Sequence, residues 1–242
     1  MRNAWRTWLG KFDQSLEELG VSTIDVSGFE DAERRSVALA LFARLRAELR
    51  AALTLADAGH DMAFRSYCRS AIECALHLYH GEVNASYLEQ LHTDDTVSRR
   101  SRAKTFLKNA PGGLPADARQ SLEKFLQDSS KAKGKLLVSE IETPFPRLNH
   151  VYREISADAA HVTWTSLHRQ LNQNKPGWIT VEIDAQVSTD EMEEAASILA
   201  FAGLVAVRSL LQIVPELKEQ YDLEAMFRTY KPIYQEGRTR AE

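Results

Sequence analysis

One predicted helix, from about residue 61 to residue 79, carries a row of polar and charged side chains spaced one turn apart. The row consists of Arg65, Arg69, Glu73 and His77, with His80 beside it. At 100° per residue these side chains lie opposite an apolar stripe, so they share one helix face. Two interpretations stay open. The row forms i,i+4 ion pairs on a solvated surface, or it lines a polar cleft.

A second group with chemical potential follows in the segment from about 147 to 171, which the sequence predicts to be one helix. Tyr152, Ser156 and His161 lie on this segment, and histidine is the residue best suited to proton transfer near neutral pH. In a continuous helix His150, His161 and His168 share one side, with Trp164 nearby. Large aromatic side chains beside polar groups are common at interfaces, so this side is either a contact surface or exposed to solvent.

The first group also offers a metal hypothesis. Glu73, His77 and His80 stand at positions i, i+4 and i+7, and carboxylate and imidazole groups at such spacing can converge on one ion. The sequence has no complementary Glu-x-x-His motif elsewhere. Metal binding is therefore an alternative to the interpretations above.

Together the two groups carry a family resemblance. Arg69-Ser-Ala-Ile-Glu73, followed by Tyr152-Arg-Glu-Ile-Ser156 and His161, resembles a family of uncharacterised bacterial all-helical proteins. These have an Arg-x-x-x-Glu helix, a Tyr-x-x-x-Ser…His helix, a short extended segment and a long apolar helix. The resemblance covers roughly residues 35–215. It implies a site made of Arg69, Glu73, Tyr152, Ser156 and His161, although in the family the histidine lies one turn after the serine and here it lies five residues on.

A looser resemblance is to the HEPN superfamily of helical ribonucleases, which use an arginine and, four to six residues later, a histidine. Here Arg69 and His77 are separated by seven residues, as are Arg153 and His161. The resemblance implies a metal-independent ribonuclease. In such an enzyme arginine would stabilise the phosphorane charge and histidine would move the proton.

A basic segment follows the first group. Between positions 99 and 135 there are ten Lys and Arg residues and three Asp and Glu residues, in a chain of net charge −4. Such a segment can attract phosphates if the fold aligns its cations on one face; otherwise it is an ordinary solvated surface. The candidate nucleic-acid-binding residues are Arg99, Arg100, Arg102 and Lys104.

The elements that must position these residues are helices. The first is predicted by a 3.6-residue apolar periodicity, and its apolar face consists of Trp5, Trp8, Leu9, Phe12, Leu16 and Leu19. Capping boxes at 27–30, 86–89 and 188–191 predict three helix starts, and another helix is expected around 217–230. Alternating Ile179, Val181 and Ile183 predict one strand near 178–183. The predicted fold is all-α, a single-domain helical bundle over 1–242 with a short strand or hairpin insertion. Residues 1–30 form its N-terminal helix and loop, and residues 215–242 form a C-terminal appendage.

Composition narrows the function classes. The net charge of −4 by itself argues for neither a nucleic-acid nor a membrane partner. Cys68 and Cys74, six residues apart on one helix, cannot pair with each other. Two unpaired thiols fit a reducing cytoplasm. The apolar segment 198–214 contains Arg208 and is shorter than a membrane span, so we expect a core helix and no membrane partner.

No glycine-rich phosphate loop and no nucleophile elbow is found in the sequence, so no cofactor is expected. The leading hypothesis is a cytoplasmic binding or regulatory module in bacterial stress or phage defence. We expect it to form a homo-oligomer with an RNA or protein partner. The alternatives are a HEPN-like metal-independent ribonuclease and a metal-binding helical protein.

Overall fold

The computed structural model describes residues 3–20, 28–110, 113–176, 178–182 and 187–239, and most of these are helical. The helices are α1 (Asn3–Gly20), α2 (Ala32–Asp57), α3 (Asp61–Val83), α4 (Tyr87–Asn109), α5 (Ala116–Asp128), α6 (Pro146–Ile155), α7 (Trp164–His168), α8 (Thr189–Ile213) and α9 (Leu223–Thr239). Short 3-10 turns occupy Val138–Glu140 and Pro215–Gln220, and Ser156–Ala160 forms a π-helical turn. The prediction of an all-α fold with a small strand insertion is confirmed.

Contacts between residues divide the chain into two compact units. The larger consists of residues 1–83 and 138–242, and the smaller of residues 84–137. No result tests the expected single domain over 1–242, which stays a prediction. In the small unit α4 and α5 are joined by side-chain bonds to backbone: Arg100 Nη1 donates to the carbonyl oxygens of Ser129 (2.7 Å) and Ser130 (3.0 Å). Asp94 Oδ1 accepts from the backbone N–H of Leu136 at 3.1 Å.

Helix α8 lies at the centre of the large unit. It begins with the predicted capping box, in which Ser188 and Glu191 exchange side-chain-to-backbone hydrogen bonds, and it is apolar around nearly its whole circumference. A helix of that pattern must be buried on all sides, and α1, α2, α3, α6 and α9 all pack against it. By length and composition it could cross a membrane, but 83% of its apolar window is buried inside the bundle, as in the core helix of a soluble protein.

Helix α1 confirms the predicted apolar face, since all six of its members are buried. It meets α8 where Gly203 leaves room for the fully buried ring of Phe12. At the other end of the chain the expected helix near 217–230 is divided: a 3-10 turn ends at Gln220 and α9 begins at Leu223. Of the other two predicted capping boxes, the one at 86–89 is not formed, since Ser86 makes no side-chain cap bond. The one at 27–30 stays a prediction, because Ser27 lies outside the described residues.

The prediction of one helix over 147–171 is wrong. Helix α6 ends at Ile155, and a new helix begins after Thr163. The Thr163 hydroxyl accepts from the backbone N–H of Ser166 at 3.1 Å, and Ser166 Oγ accepts from the backbone N–H of Thr163 at 2.9 Å. Thr163 Oγ1 also donates to the carbonyl oxygen of Ala157 at 2.6 Å, which satisfies the end of the π-helical turn. The helical periodicity hid this reciprocal cap, which breaks the segment in two.

The strand prediction is confirmed for β2 (Trp178–Val181), which pairs antiparallel with β1 (Leu171–Lys175). Leu171 faces Val181 and Asn172 faces Thr180, and the register shifts between Asn172 and Lys175. Ile183, the last residue of the predicted strand, lies outside the described residues.

Candidate functional site

Arg69 joins the two helices that the sequence singled out. On α3 its Nη1 donates to Glu73 Oε2 at 2.6 Å, one turn away. Its Nη2 donates to Tyr152 Oη at 2.7 Å and its Nε to Ser156 Oγ at 3.1 Å, both at the C-terminal end of α6. The structure thus brings together four of the five predicted catalytic residues, which we call the Arg69 cluster: Arg69, Glu73, Tyr152 and Ser156.

The α3 row is not an ordinary solvated surface. The side chain of Arg69 is 23% exposed and that of Glu73 27%, and Arg65, one turn earlier, is buried. The row faces α6 and the π-helical turn, and Ser66 supports this contact by donating to the carbonyl oxygen of Ala159 at 2.8 Å. The interpretation of exposed i,i+4 ion pairs alone is therefore wrong for this half of α3.

The chemistry available to the Arg69 cluster is limited by its internal bonds. Burial, with the nearby Glu73 charge, raises the pKa of Tyr152 above its ordinary value, so the phenol is protonated at neutral pH. Ser156 Oγ accepts from Arg69 and donates to the Tyr152 carbonyl oxygen at 2.6 Å, so its proton is directed to the backbone. In this arrangement Arg69 positions α6 against α3, and Ser156 has no base beside it among these partners.

His161, the fifth predicted catalytic residue, lies in extended backbone directly after the π-helical turn, and its side chain is exposed. None of the three hydrogen bonds described for Arg69 reaches it. The expected stripe of His150, His161 and His168 is also not formed on one helix. His150 belongs to α6 and His168 to α7, where its ring packs edge-on against Trp164.

A second polar network, which sequence reasoning missed, lies one turn along α3. Asp158 of the π-helical turn is buried and accepts from Arg65 Nη2 at 2.9 Å and from Arg169 Nε at 2.5 Å. Arg169 also donates to both carboxylate oxygens of Glu191 at the start of α8. We call these four residues the Asp158 network. It ties α3, the π-helical turn, the end of α7 and α8 together.

The electrostatics of this network are strong. Hydrogen bonds from Arg169, aided by the cap at Ser188, hold the pKa of Glu191 at about 2. Hydrogen bonds to the carboxylates of Glu191 and Asp158 raise the pKa of Arg169 in turn. Arg65 Nε is buried without a hydrogen-bond partner among the described residues. The capping box at Glu191 was visible in the sequence. The pairing of Glu191 with Arg169, 22 positions earlier, could not be predicted from the sequence, because it depends on the break between α6 and α7.

The metal hypothesis finds no assembled ligand set. Within the described ranges, no three His, Cys, Asp or Glu side chains are grouped so that they could hold an ion. Glu73 is instead paired with Arg69. The structure therefore does not bring Glu73, His77 and His80 together as ligands.

The candidate nucleic-acid-binding residues on α4 divide into two kinds. Arg100 is committed to the carbonyl oxygens of Ser129 and Ser130. Arg99 is partly engaged: its Cζ lies 5.5 Å from the centroid of the Phe125 ring, and its Nη1 lies 3.6 Å from Asp95 Oδ2. Arg102 and Lys104 are exposed and make no ion pair within the described part of the chain. Only the second kind is free to meet a ligand.

Comparison of the chain with models of known protein families, with curated proteins and with solved structures finds no match in any of the three. The resemblances argued from the Arg69 motif and from the Arg and His spacing therefore stay predictions. Any function must be argued from the residues themselves.

Proposed function

We propose that this chain is a cytoplasmic binding module whose 84–137 unit binds single-stranded nucleic acid, RNA in particular. The observation that carries the proposal is a set of seven exposed cations in this unit that make no described ion pair with the rest of the chain. They are Arg102, Lys104, Lys108, Lys124, Lys131, Lys133 and Lys135.

Uncompensated cations on one small unit favour a polyanionic ligand. Between 99 and 135 basic residues outnumber acidic ones by ten to three, although the whole chain has a net charge of −4. Phosphate backbones bind such surfaces because each neutralised phosphate releases condensed counterions. A unit that carries this many unpaired cations attracts nucleic acid from solution, and binding needs no catalytic group.

An exposed aromatic side chain favours single strands over duplexes. Phe106 is 55% exposed and lies one helical turn after Arg102, with which it lines a shallow groove on α4. Unpaired bases stack on such rings, and an adjacent cation holds the phosphate. A duplex hides its base faces, so it can use the cations but not the ring.

Fluorescence anisotropy with a labelled single-stranded RNA of about 20 nucleotides, titrated over KCl concentration, tests this. We expect the logarithm of the association constant to fall linearly with the logarithm of the KCl concentration. The slope should be roughly −0.7 for each phosphate that the protein neutralises. A triple variant (Arg102→Ala, Lys104→Ala, Lys108→Ala) should bind more weakly and show a slope smaller by about 2.

The matched control changes three exposed lysines of the large unit, Lys11→Ala, Lys218→Ala and Lys231→Ala, and removes the same charge. It should leave the slope unchanged. Absence of RNA binding at low salt would refute the proposal. Equal losses in both triple variants would mean that net charge alone is responsible, which also refutes it.

The ribonuclease hypothesis is the second candidate and rests on the resemblance of the motif. Arg69 lies beside Tyr152 and Ser156, and the exposed His161 is the residue that would have to move the proton. The test is cleavage of total cellular RNA with and without EDTA, comparing the wild type with Arg69→Lys and His161→Ala. The His161 side chain is exposed, so its loss should not unfold the protein. Cleavage that survives EDTA and is lost in both variants would support this candidate. Equal cleavage by wild type and variants, or none at all, would remove it.

A further inference from the structure

A run of large apolar side chains stands in solvent between α6 and α8. Six of them, within twenty residues of sequence, are between 40% and 85% exposed. This apolar surface consists of Val162, Trp164, Leu167, Leu171, Ile179 and Val181. Most of the other large apolar side chains of the described chain are buried in the core.

The hairpin contributes half of this surface on one of its faces. Leu171 of β1 lies opposite Val181 of β2, and Ile179 stands two positions before Val181, so the three side chains project from the same side of the sheet. Among the described residues nothing covers that side, since all three are at least 40% exposed. An isolated two-stranded hairpin is marginally stable in water and needs a further strand or a packed face.

The size of the surface matches a protein contact. At these exposures the six side chains present roughly 600 Å², taking about 150 Å² for each side chain when fully exposed, the lower end of the range for aromatic side chains. The largest apolar patch of an ordinary monomer is about 300–600 Å². A stable interface takes about 800 Å² from each partner. Exposed polar residues beside this surface, such as Thr165 and His168, can supply the remainder as its rim.

The charge of the surface is compatible with a second copy of the chain as its partner. In a two-fold symmetric contact the same surface lies on both sides, so an unpaired charge near its centre would face a like charge. Arg169, which lies in the middle of this segment, is neutralised within its own chain by Asp158 and Glu191. Among the side chains that the structure describes, the six that form this surface are all apolar, so two copies can meet there without opposing like charges.

We propose that this apolar surface binds a second copy of the chain, and that the covered hairpin is the core of a homodimer. The Asp158 network then has a defined task. It fixes the π-helical turn before α7 and the residue that ends α7 to α3 and α8. The surface is therefore presented on a rigid support, as a specific interface requires.

Sedimentation velocity of the purified full chain tests the dimer. We expect a dimer at micromolar concentration, and a double variant, Trp164→Ser with Ile179→Ser, to raise the dissociation constant at least ~30-fold, as loss of a central aromatic anchor does. Both side chains are mostly exposed, so far-UV circular dichroism should show an unchanged helix content in the variant.

The matched control, Phe106→Ser with Val83→Ser, removes two apolar side chains that are each 55% exposed elsewhere on the chain, and it should leave the dimer intact. A wild-type chain that stays monomeric up to roughly 100 µM, well above the dissociation constants of interfaces of this size, would overturn the proposal. A dimer that persists in the first variant, or that dissociates equally in both, would do so as well. RNA binding is a separate measurement, so failure of one proposal is not failure of the other.

Discussion

Asp158 offers the sharpest test of how the large unit is held together. Its side chain is 7% exposed and that of Arg65 8%, and the same carboxylate also receives Arg169. In the variant Asp158→Asn the side chain keeps its shape but loses its charge. Of the two carboxylates in the network, only that of Glu191 then remains for the two guanidinium groups.

The expected loss follows from what Arg65 has left. Its Nε already lacks a partner among the described residues, and its remaining contacts are a 3.4 Å bond to the Glu191 carbonyl oxygen and a 4.0 Å approach to the Glu191 carboxylate. Leaving one member of a buried ion pair uncompensated costs about 3–5 kcal/mol. That is a large part of the ~5–15 kcal/mol by which a protein is stable, so the variant should unfold at markedly lower urea.

Urea unfolding followed by far-UV circular dichroism measures the change, provided that the dependence of the unfolding free energy on urea concentration is the same in both proteins. The control is Asp57→Asn, which breaks the bidentate pair with Arg6. Those side chains are 52% and 38% exposed, and an exposed pair contributes only about 0–1 kcal/mol. If Asp158→Asn cost no more than Asp57→Asn, the reasoning from burial would be refuted.

Three further predictions concern separate parts of the large unit. Gly203→Ala should lower the free energy of unfolding measured in urea, because the new Cβ would lie 2.8 Å from Cζ of the fully buried Phe12. Overpacking lowers stability by about 1–3 kcal/mol, whereas the better helix propensity of alanine adds at most ~1 kcal/mol. Gly28→Ala, with open space around it, should be neutral, and an equal loss there would contradict the packing argument. Glu191 has a pKa of about 2 in the folded chain against an ordinary 4.5, so its contribution is complete above pH 4.5 and lost as pH falls towards 2. Urea midpoints of Glu191→Gln should therefore vary less over that pH range than those of the wild type; parallel curves would contradict this. Burial raises the pKa of Cys74 to about 12 and that of Cys68 as well, so a thiol reagent at pH 8 should label neither until urea is added. Labelling of the native protein at the rate of a free thiol would show that α3 opens.

The sequence by itself determined the helices with strong periodicity and the class of fold. The apolar face of α1 and the capping box that opens α8 depend on neighbours three and four residues apart, and such neighbours are fixed by the helix itself. The pairing of Arg69 with Glu73 was readable for the same reason. The choice of Tyr152 and Ser156 as their companions came from a resemblance, since no local rule connects α3 with α6.

Only the tertiary structure decided which of these residues meet and what they do. Arg69 reaches Tyr152 across 83 positions of sequence and Arg65 reaches Asp158 across 93. The second contact depends on α6 ending at Ile155, because Asp158 lies in the π-helical turn that follows. The helical periodicity of 147–171 concealed this end. The stop is set by competition: the Thr163 cap, the π-helical turn and the bonds to α3 and α8 together outweigh one more turn of helix. Local spacing determines the face of an element, whereas the partner of that face depends on packing between segments far apart in the chain.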